Sequence, residues 1–145
     1  MDVKRITPEE AKSLLDSGEG YVYLDVRTVN EFDAGHVPGA KNIPFVDFDP
    51  MRGGMAPNPQ FVEIAARNFP KDAKLICGCQ RGQRSLMAAQ ALLAAGFTSV
   101  VDMRGGYGGE MDHCGCMVFP GWAPRGLPTS SESKPEERYE SLKTA

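Results

Sequence analysis

The sequence has no apolar run that approaches the roughly 20 residues a helix needs to cross a bilayer. Its N-terminal segment, MDVKRITPEEAKSL, also lacks the apolar core and the small-residue cleavage pattern of a secretory signal. We therefore expect a cytoplasmic protein with no membrane partner. In that compartment the four cysteines are expected to be mostly reduced thiols.

An excess of basic residues is missing as well, because the chain has 16 lysines and arginines, 19 aspartates and glutamates and a formal net charge of −3. This balance gives no support to a nucleic-acid partner, which calls for an extended positive surface. The 145 residues, 41% of them hydrophobic, can bury the core of one domain without a structural metal. We expect neither a cofactor nor a metal site.

Short apolar strands alternate with helices over most of the chain. Strands are predicted over 21–26, 40–43, 74–77 and 99–103, and helices between Thr7 and Gly18, over 30–34 as a single turn, and over 60–69 and 83–95. This alternation predicts an α/β domain, with a central parallel sheet and helices on both faces. In such sheets the reactive site lies at the carboxyl ends of the strands.

Two segments depart from the alternation. Prolines and glycines interrupt 45–59, which is predicted to be mostly loop. Beyond residue 110, further prolines exclude continuous secondary structure, and 129–145 is polar with at most a short helix over 136–142. We assign 1–128 to the domain and 129–145 to a polar tail, and we expect Trp122 to anchor the C-terminal segment.

The most informative segment is the loop Cys79–Ser85, CQRGQRS, between a predicted strand and a predicted helix. A helix N-terminus offers unpaired N–H groups and partial positive charge, and so it binds anions. Gly82 allows a backbone angle that lets these amides converge. With Arg81 and Arg84 nearby, we expect the thiolate of Cys79 to be favoured and an anion such as thiosulfate to bind.

The spacing of this loop separates two chemistries. Phosphatases with a cysteine nucleophile have five residues between cysteine and arginine, whereas four separate Cys79 from Arg84. The tighter loop fits the sulfane-sulfur end of a substrate better than a full phosphate. A phosphatase or an arsenate-reductase-like enzyme is therefore the third alternative.

The segment resembles the Cys-x-x-Gly-x-Arg-Ser loop of the rhodanese (thiosulfate sulfurtransferase) family. Two further segments are similar to that family, Leu24–Arg27 with the residues up to Ala40, and Val101–Tyr107 with its paired glycines. Together they extend over roughly 6–107. The resemblance implies a single rhodanese-like domain.

The resemblance also implies a sulfur transfer in two half-reactions. Cys79 attacks the outer sulfur of a donor, becomes a persulfide and releases the remainder, such as sulfite. An acceptor, cyanide or a thiol, then removes the sulfur. The implied partners are a small anionic donor and this acceptor, with a protein donor or acceptor left open, and the implied substrate-binding residues are Gln80, Arg81, Gly82, Gln83, Arg84 and Ser85.

The other cysteines leave alternatives open. Cys77 is interpreted as a buried strand thiol, or else as a thiol that resolves the Cys79 persulfide. Cys114 and Cys116 are interpreted as incidental thiols of a glycine turn, or else as a redox pair or, with His113, a soft-metal site. A thiol redox or sulfur-relay module serving a protein partner is thus the second functional hypothesis.

Four polar residues of the upstream segment are predicted to have structural roles. Asp25 is expected to cap the turn after its strand. Arg27 and Glu31 are four residues apart and are expected to pair. His36 is expected to hydrogen-bond to the backbone.

Overall fold

The computed structural model describes residues 3–144, and its centre is a five-stranded parallel sheet. The strands of this sheet are β1 (Arg5–Ile6), β2 (Val22–Asp25), β3 (Lys41–Asn42), β6 (Lys74–Gly78) and β7 (Ser99–Met103). Their order is β1-β7-β6-β2-β3, and every neighbouring pair is parallel. The predicted α/β class and parallel sheet are confirmed. Strand β1 was not predicted, since its two residues are too few for an apolar pattern.

Helices cover both faces of the sheet, as predicted. They are α1 (Pro8–Asp16), α2 (Val29–Ala34), α3 (Phe61–Asn68), α4 (Gln83–Ala94) and α5 (Tyr139–Leu142). One core cluster includes apolar residues of α1 and α2, and the other includes those of α3, α4 and α5. Among residues 3–144, no helix has both the length and the apolar character that a membrane crossing requires.

Local side-chain caps fix where the first two helices begin. Thr7 accepts a hydrogen bond from the Glu10 amide, and the Glu10 carboxylate accepts one from the Thr7 amide, so the two residues form a capping box. Thr28 and Glu31 form a second capping box in front of α2. This second box places Glu31 at the carboxyl edge of the sheet, where β2 has just ended.

The prediction that 45–59 is mostly loop was wrong. Strands β4 (Val46–Asp49) and β5 (Gly54–Pro57) pair there as an antiparallel hairpin. Gly53, at a φ of +69°, supplies the left-handed backbone of the turn. Pro57 ends β5 in a two-stranded ribbon, where its missing N–H removes no bond from a central ladder. The number of prolines therefore gave too low an expectation of strand residues in 45–59.

A second hairpin follows the main sheet. Strands β8 (Glu110–Met111) and β9 (Met117–Phe119) pair antiparallel, with an irregular register between Glu110 and Met111. The prediction excluded continuous structure beyond residue 110, and this short ribbon is the exception. Its turn contains Cys114 and Cys116.

The C-terminal segment packs against the domain. Trp122 is buried and its indole N–H donates to the Pro128 carbonyl at 2.5 Å, as expected of an anchor. Ser130 exchanges two backbone hydrogen bonds with His36, and the Leu142 side chain lies in the core. The domain boundary at residue 128 stays a prediction, but 130–142 makes these specific contacts with the rest of the chain.

We expect Leu142→Ala to lower the free energy of unfolding by about 2–5 kcal/mol, because a buried leucine leaves a cavity when truncated. The Leu142 side chain is only 5% exposed. Met51→Ala is the control, since Met51 is 94% exposed and its loss should change stability by no more than about 0.5 kcal/mol. Urea denaturation measures both variants. Equal midpoints would show that α5 adds nothing to the core.

Candidate active site

Cys79 lies directly after β6, at the carboxyl edge of the sheet, and the following loop leads into α4. It is 1% exposed but lies at the wall of a cavity of about 320 Å³. The other residues that line this cavity are Glu31, Gln80, Arg81, Gln83 and Arg84. The structure thus brings together four of the six residues predicted to bind substrate with the predicted nucleophile.

The two remaining predicted residues, Gly82 and Ser85, contact the sulfur from the protein side. The Gly82 amide donates to Cys79 Sγ at 3.0 Å, and the Cys79 thiol donates to Ser85 Oγ at 3.4 Å. Gly82 has a φ of +104°, so another residue would be strained there. A β-carbon would also come within 3.2 Å of the Gly105 nitrogen. The Gly82 N–H therefore points at the Cys79 sulfur, and this orientation of the amide requires a glycine at position 82.

The glycine-rich segment that follows β7 holds this loop through backbone hydrogen bonds. The Tyr107 amide donates to the Cys79 carbonyl at 2.7 Å, and the Gly108 amide donates to the Gln80 carbonyl at 2.9 Å. A β-carbon at Gly106 would lie 2.3 Å from the Cys79 carbonyl oxygen, so only glycine fits. The segment resembling the family's strand and paired glycines thus holds the backbone of the reactive loop.

A buried ion pair orients Gln80. Arg27 donates to both carboxylate oxygens of Asp25 at 2.8–3.1 Å, and its Nη1 donates to Gln80 Oε1 at 3.0 Å. The Arg27 guanidinium also lies 4.6 Å from the centre of the Tyr107 ring. The predicted Arg27–Glu31 pair was therefore wrong: Asp25, at the end of β2, is closer to the buried guanidinium and satisfies it.

Glu31 pairs instead with Arg84 across the mouth of the cavity. The two carboxylate oxygens accept from Arg84 Nη1 and Nη2 at 2.8 and 3.1 Å. Burial raises the pKa of Glu31, but the hydrogen bonds from Arg84 and the Thr28 amide, with the Arg84 charge, outweigh it and lower the pKa to about 2. Arg84 thus lines the cavity with part of its charge compensated.

Arg81 is the cation of the cavity that keeps its charge uncompensated. It is exposed and, within the described part of the chain, forms no ion pair with a carboxylate. It lines the Cys79 cavity and also a second cavity of about 340 Å³, formed with Arg5, Gly82, Gln83, Leu86, Glu110 and Met111. An anion entering the site would therefore interact with the uncompensated charge of Arg81.

The other cysteines lie away from the Cys79 cavity. Cys77 is fully buried in β6, and burial raises the pKa of its thiol, so it suits a strand thiol better than an attacking thiolate. Cys114 and Cys116 are exposed, and their amides both donate to Asp112 Oδ1. Across residues 3–144, no group of three or more histidine, cysteine or acidic side chains could hold a metal.

His36 makes the backbone contacts expected of it. Its Nδ1 lies 2.7 Å from the Phe32 carbonyl oxygen, and its Nε2 lies 2.8 Å from that of Glu132. Its ring stacks on Phe32, 3.9 Å between centres. The residue joins α2 to the C-terminal segment and does not line the cavity.

Sequence reasoning missed Asp102, which lies in β7 behind the reactive loop. The carboxylate is fully buried and accepts from Arg5 Nε at 2.9 Å. A signal was present, because an aspartate in the middle of the apolar run Val100–Met103 is unusual without a partner. The sequence contains no signal that Arg5 is that partner, because Arg5 precedes the first predicted element.

Comparisons with known proteins find a matching family model and similar sequences. Residues 7–109 match the family model described as Rhodanese-like domain. The chain is 43% identical over 114 residues to Thiosulfate sulfurtransferase 16, chloroplastic, of Arabidopsis thaliana, covering 77% of this chain and 82% of that protein. It is 47% identical over 88 residues to Senescence-associated protein DIN1 of Raphanus sativus, covering 61% of this chain but only about half, 47%, of that relative.

A solved structure supports the fold alone. A crystal structure of a protein from M. tuberculosis superposes with a TM-score of 0.74 at 24% identity. The superposition covers 91% of this chain and 100% of that one.

Glu31→Gln is expected to destabilise the protein in a pH-dependent way. The pKa of Glu31 falls from its ordinary value of 4.5 to about 2 on folding, so its ion pair stabilises the fold above pH 4.5. That contribution is lost as the pH falls from 4.5 towards about 2. Urea denaturation should show wild type more stable than the variant at pH 7, with the difference shrinking over that range. A constant difference would contradict the lowered pKa.

Proposed function

This chain belongs to the rhodanese family, and from that premise we propose that it is a sulfurtransferase in which Cys79 carries the transferred sulfur as a persulfide. The observation that carries the proposal is the Cys79 sulfur at the wall of a small polar cavity, with the Gly82 amide donating to it at 3.0 Å. A cysteine held by a backbone amide at a helix N-terminus is stabilised as its anion. Such a thiolate is a nucleophile towards sulfur.

The first half-reaction loads the enzyme. The Cys79 thiolate attacks the outer sulfur of thiosulfate, a new S–S bond forms, and the bond to the sulfonate sulfur breaks to release sulfite. The negative charge that was on Cys79 then lies on the terminal sulfur of the persulfide. The Gly82 amide, which donates to the Cys79 sulfur, would stabilise that charge, and Arg81 and Arg84, which line the cavity, would attract the anionic donor.

The second half-reaction returns the enzyme to its first state. Cyanide or a thiolate attacks the terminal sulfur, the S–S bond of the persulfide breaks, and Cys79 leaves as thiolate. The cavity of about 320 Å³ suits a small donor and acceptor. The relative named a thiosulfate sulfurtransferase supports thiosulfate as the donor. That relative is also named chloroplastic, and a cytoplasmic location for this chain stays a prediction.

A sulfur relay to a protein partner is the second candidate. The observation that favours it is the exposed pair Cys114 and Cys116 on the hairpin whose strand β8 borders the cavity shared with Arg81. These thiols are accessible to a partner, whereas Cys77 is not. A relay would require at least one of them for transfer to thiol acceptors.

We expect Cys79→Ser to abolish thiocyanate formation from thiosulfate and cyanide while its circular dichroism spectrum stays that of the wild type. The hydroxyl cannot form the persulfide on which transfer depends. Cys116→Ser is the matched control, because it removes an exposed thiol and should keep full turnover. Turnover in Cys79→Ser would rule out the proposed carrier, and loss of transfer to thiols in Cys116→Ser would favour the relay.

Arg81→Ala should raise the KM for thiosulfate about 3- to 10-fold, since it removes one solvent-exposed charge contact on the order of 1 kcal/mol. The fold should be unaffected because Arg81 has no ion-pair partner within 3–144. Arg52→Ala, in the β4–β5 turn, is the control and should leave the KM unchanged. Steady-state kinetics at fixed ionic strength measure the KM of both variants. Equal KM values would show that Arg81 does not contribute to binding of the donor.

A further inference from the structure

The second cavity, of about 340 Å³, shares a wall with the Cys79 cavity. Arg81 and Gln83 line both cavities, and Gly82, whose amide donates to the Cys79 sulfur, lines the second one. The first half-reaction uses only the Cys79 cavity, because thiosulfate is small and has no carbon skeleton. A second space of similar size, beside the reactive sulfur, is therefore available to a different reactant.

The walls of the second cavity come from two parts of the chain. One part is the reactive loop and the first turns of α4, which belong to the residues 7–109 that match the family model. The other part is Arg5, Glu110 and Met111, which lie outside the matched residues on β1 and β8. The chemistry of the cavity is therefore set in part by residues that the family match does not include.

The charged side chains of the second cavity leave one positive charge uncompensated. Arg5 donates through Nε to Asp102 Oδ2 at 2.9 Å, so these two charges balance. Glu110 accepts from Arg104 Nε at 3.1 Å, so its charge is balanced as well. Arg81 has no carboxylate partner within 3–144. An exposed guanidinium of this kind favours a ligand with a carboxylate, whose two oxygens match its paired N–H groups.

Two apolar side chains, Leu86 and Met111, also line the second cavity. Both are half-buried, so each leaves part of its surface to be covered by a ligand. A ligand with methylene groups gains affinity by covering this surface, and the flexible methionine can adapt to its shape. An inorganic anion has no apolar part and gains nothing there. The cavity therefore suits a molecule that combines a carboxylate with a short carbon chain.

We propose that the second cavity binds a small thiol that carries a carboxylate and accepts the sulfur from Cys79. The carboxylate pairs with Arg81, and the carbon chain lies against Leu86 and Met111. The thiol end extends past the wall that the two cavities share and reaches the Cys79 cavity. Sulfite leaves before the acceptor binds, so Arg81 serves the donor and the acceptor in turn. The inference rests on Cys79 being the sulfur carrier of the proposed function.

The acceptor takes one sulfur atom and regenerates the Cys79 thiolate. The thiol proton of the acceptor passes to the terminal sulfur of the Cys79 persulfide, which leaves the acceptor as a thiolate. This thiolate attacks the same terminal sulfur and forms a new S–S bond. The bond between the terminal sulfur and Cys79 breaks, and its electron pair stays on Cys79. The products are a protonated persulfide of the acceptor and the Cys79 thiolate, so no external oxidant or reductant is needed.

Two acceptors that differ in charge at one end test the proposal. The acceptors are ω-mercaptohexanoate and the neutral ω-mercaptohexanol, whose thiols are equally far from the end group and equally reactive. Release of sulfite is followed at saturating thiosulfate and low, fixed ionic strength, so that the acceptor determines the rate. The acid should have a kcat/KM about 3- to 10-fold above that of the alcohol, as one solvent-exposed charge contact provides.

Variants of the cavity wall locate the effect. Glu110→Gln removes a negative charge from the lining and should lower the KM for the acid about 2- to 5-fold, with the KM for the alcohol unchanged. Glu19→Gln is the matched control, because it removes the same charge from an exposed position before β2, at the opposite edge of the sheet. The control should leave both KM values unchanged.

A pair of substitutions at Leu86 separates charge from shape. Leu86→Glu and Leu86→Gln introduce side chains of the same length into the second cavity, but only the first adds a negative charge. The KM for the acid should be about 3- to 10-fold higher in Leu86→Glu than in Leu86→Gln, whereas the KM for the alcohol should be the same in both. Circular dichroism establishes that each variant is folded. Glu110→Gln still tests the proposal if the Leu86 variants do not fold.

Two results would overturn this assignment of the second cavity. Equal kcat/KM values for the acid and the alcohol would show that no carboxylate is recognised. A KM for thiosulfate that falls in Glu110→Gln by the same factor as the KM for the acid would show a general effect of charge on both half-reactions. Thiocyanate formation by the wild type tests sulfur transfer separately: if it is normal, these results reject the acceptor site alone, whereas its absence rejects the proposed function.

Discussion

The turn from β6 into α4 is the constraint on which the rest of the site depends. It places the Cys79 sulfur against the Gly82 amide at 3.0 Å, and this direction requires the left-handed backbone of Gly82. The glycine segment after β7 lies beneath this turn and donates to its first two carbonyls. The loops that follow two neighbouring parallel strands, β6 and β7, therefore form the site around Cys79 together.

Within 3–144, two ion pairs and one unpaired arginine surround the Cys79 site. The buried pair of Asp25 and Arg27 orients Gln80, and the half-buried pair of Glu31 and Arg84 lies at the cavity. Both pairs compensate their own charges. Arg81 lines the cavity with an uncompensated charge, and Asp102 is buried in β7 with Arg5 as its ion-pair partner. An anion that approaches the cavity from solvent therefore meets positive charge.

The parts that could be predicted from the sequence are the local ones. The strand, the glycine and the helix start around Cys79 are contiguous, so the local sequence pattern suffices to place Cys79 before a helix N-terminus. The partners of Glu31 and Arg27 could not be predicted in this way, because Arg84 and Gln80 are each 53 residues distant in the chain. The two hairpins were missed because their strands have only two to four residues, and because proline was weighed as a breaker without regard to edge positions. A buried ion pair at Asp102 could have been predicted from the sequence, because a charged residue in an apolar strand is rarely buried without a partner.

Mass spectrometry of the protein after exposure to a sulfur donor shows directly whether Cys79 is the residue that carries sulfur. The protein is incubated with thiosulfate without an acceptor, and its intact mass and peptide masses are then determined before and after treatment with cyanide. If Cys79 is the carrier, the protein gains one sulfur atom, located on the peptide that contains Cys79 and removed by cyanide. A sulfur atom found on Cys114 or Cys116 instead, or no gain with any sulfane donor, would contradict it.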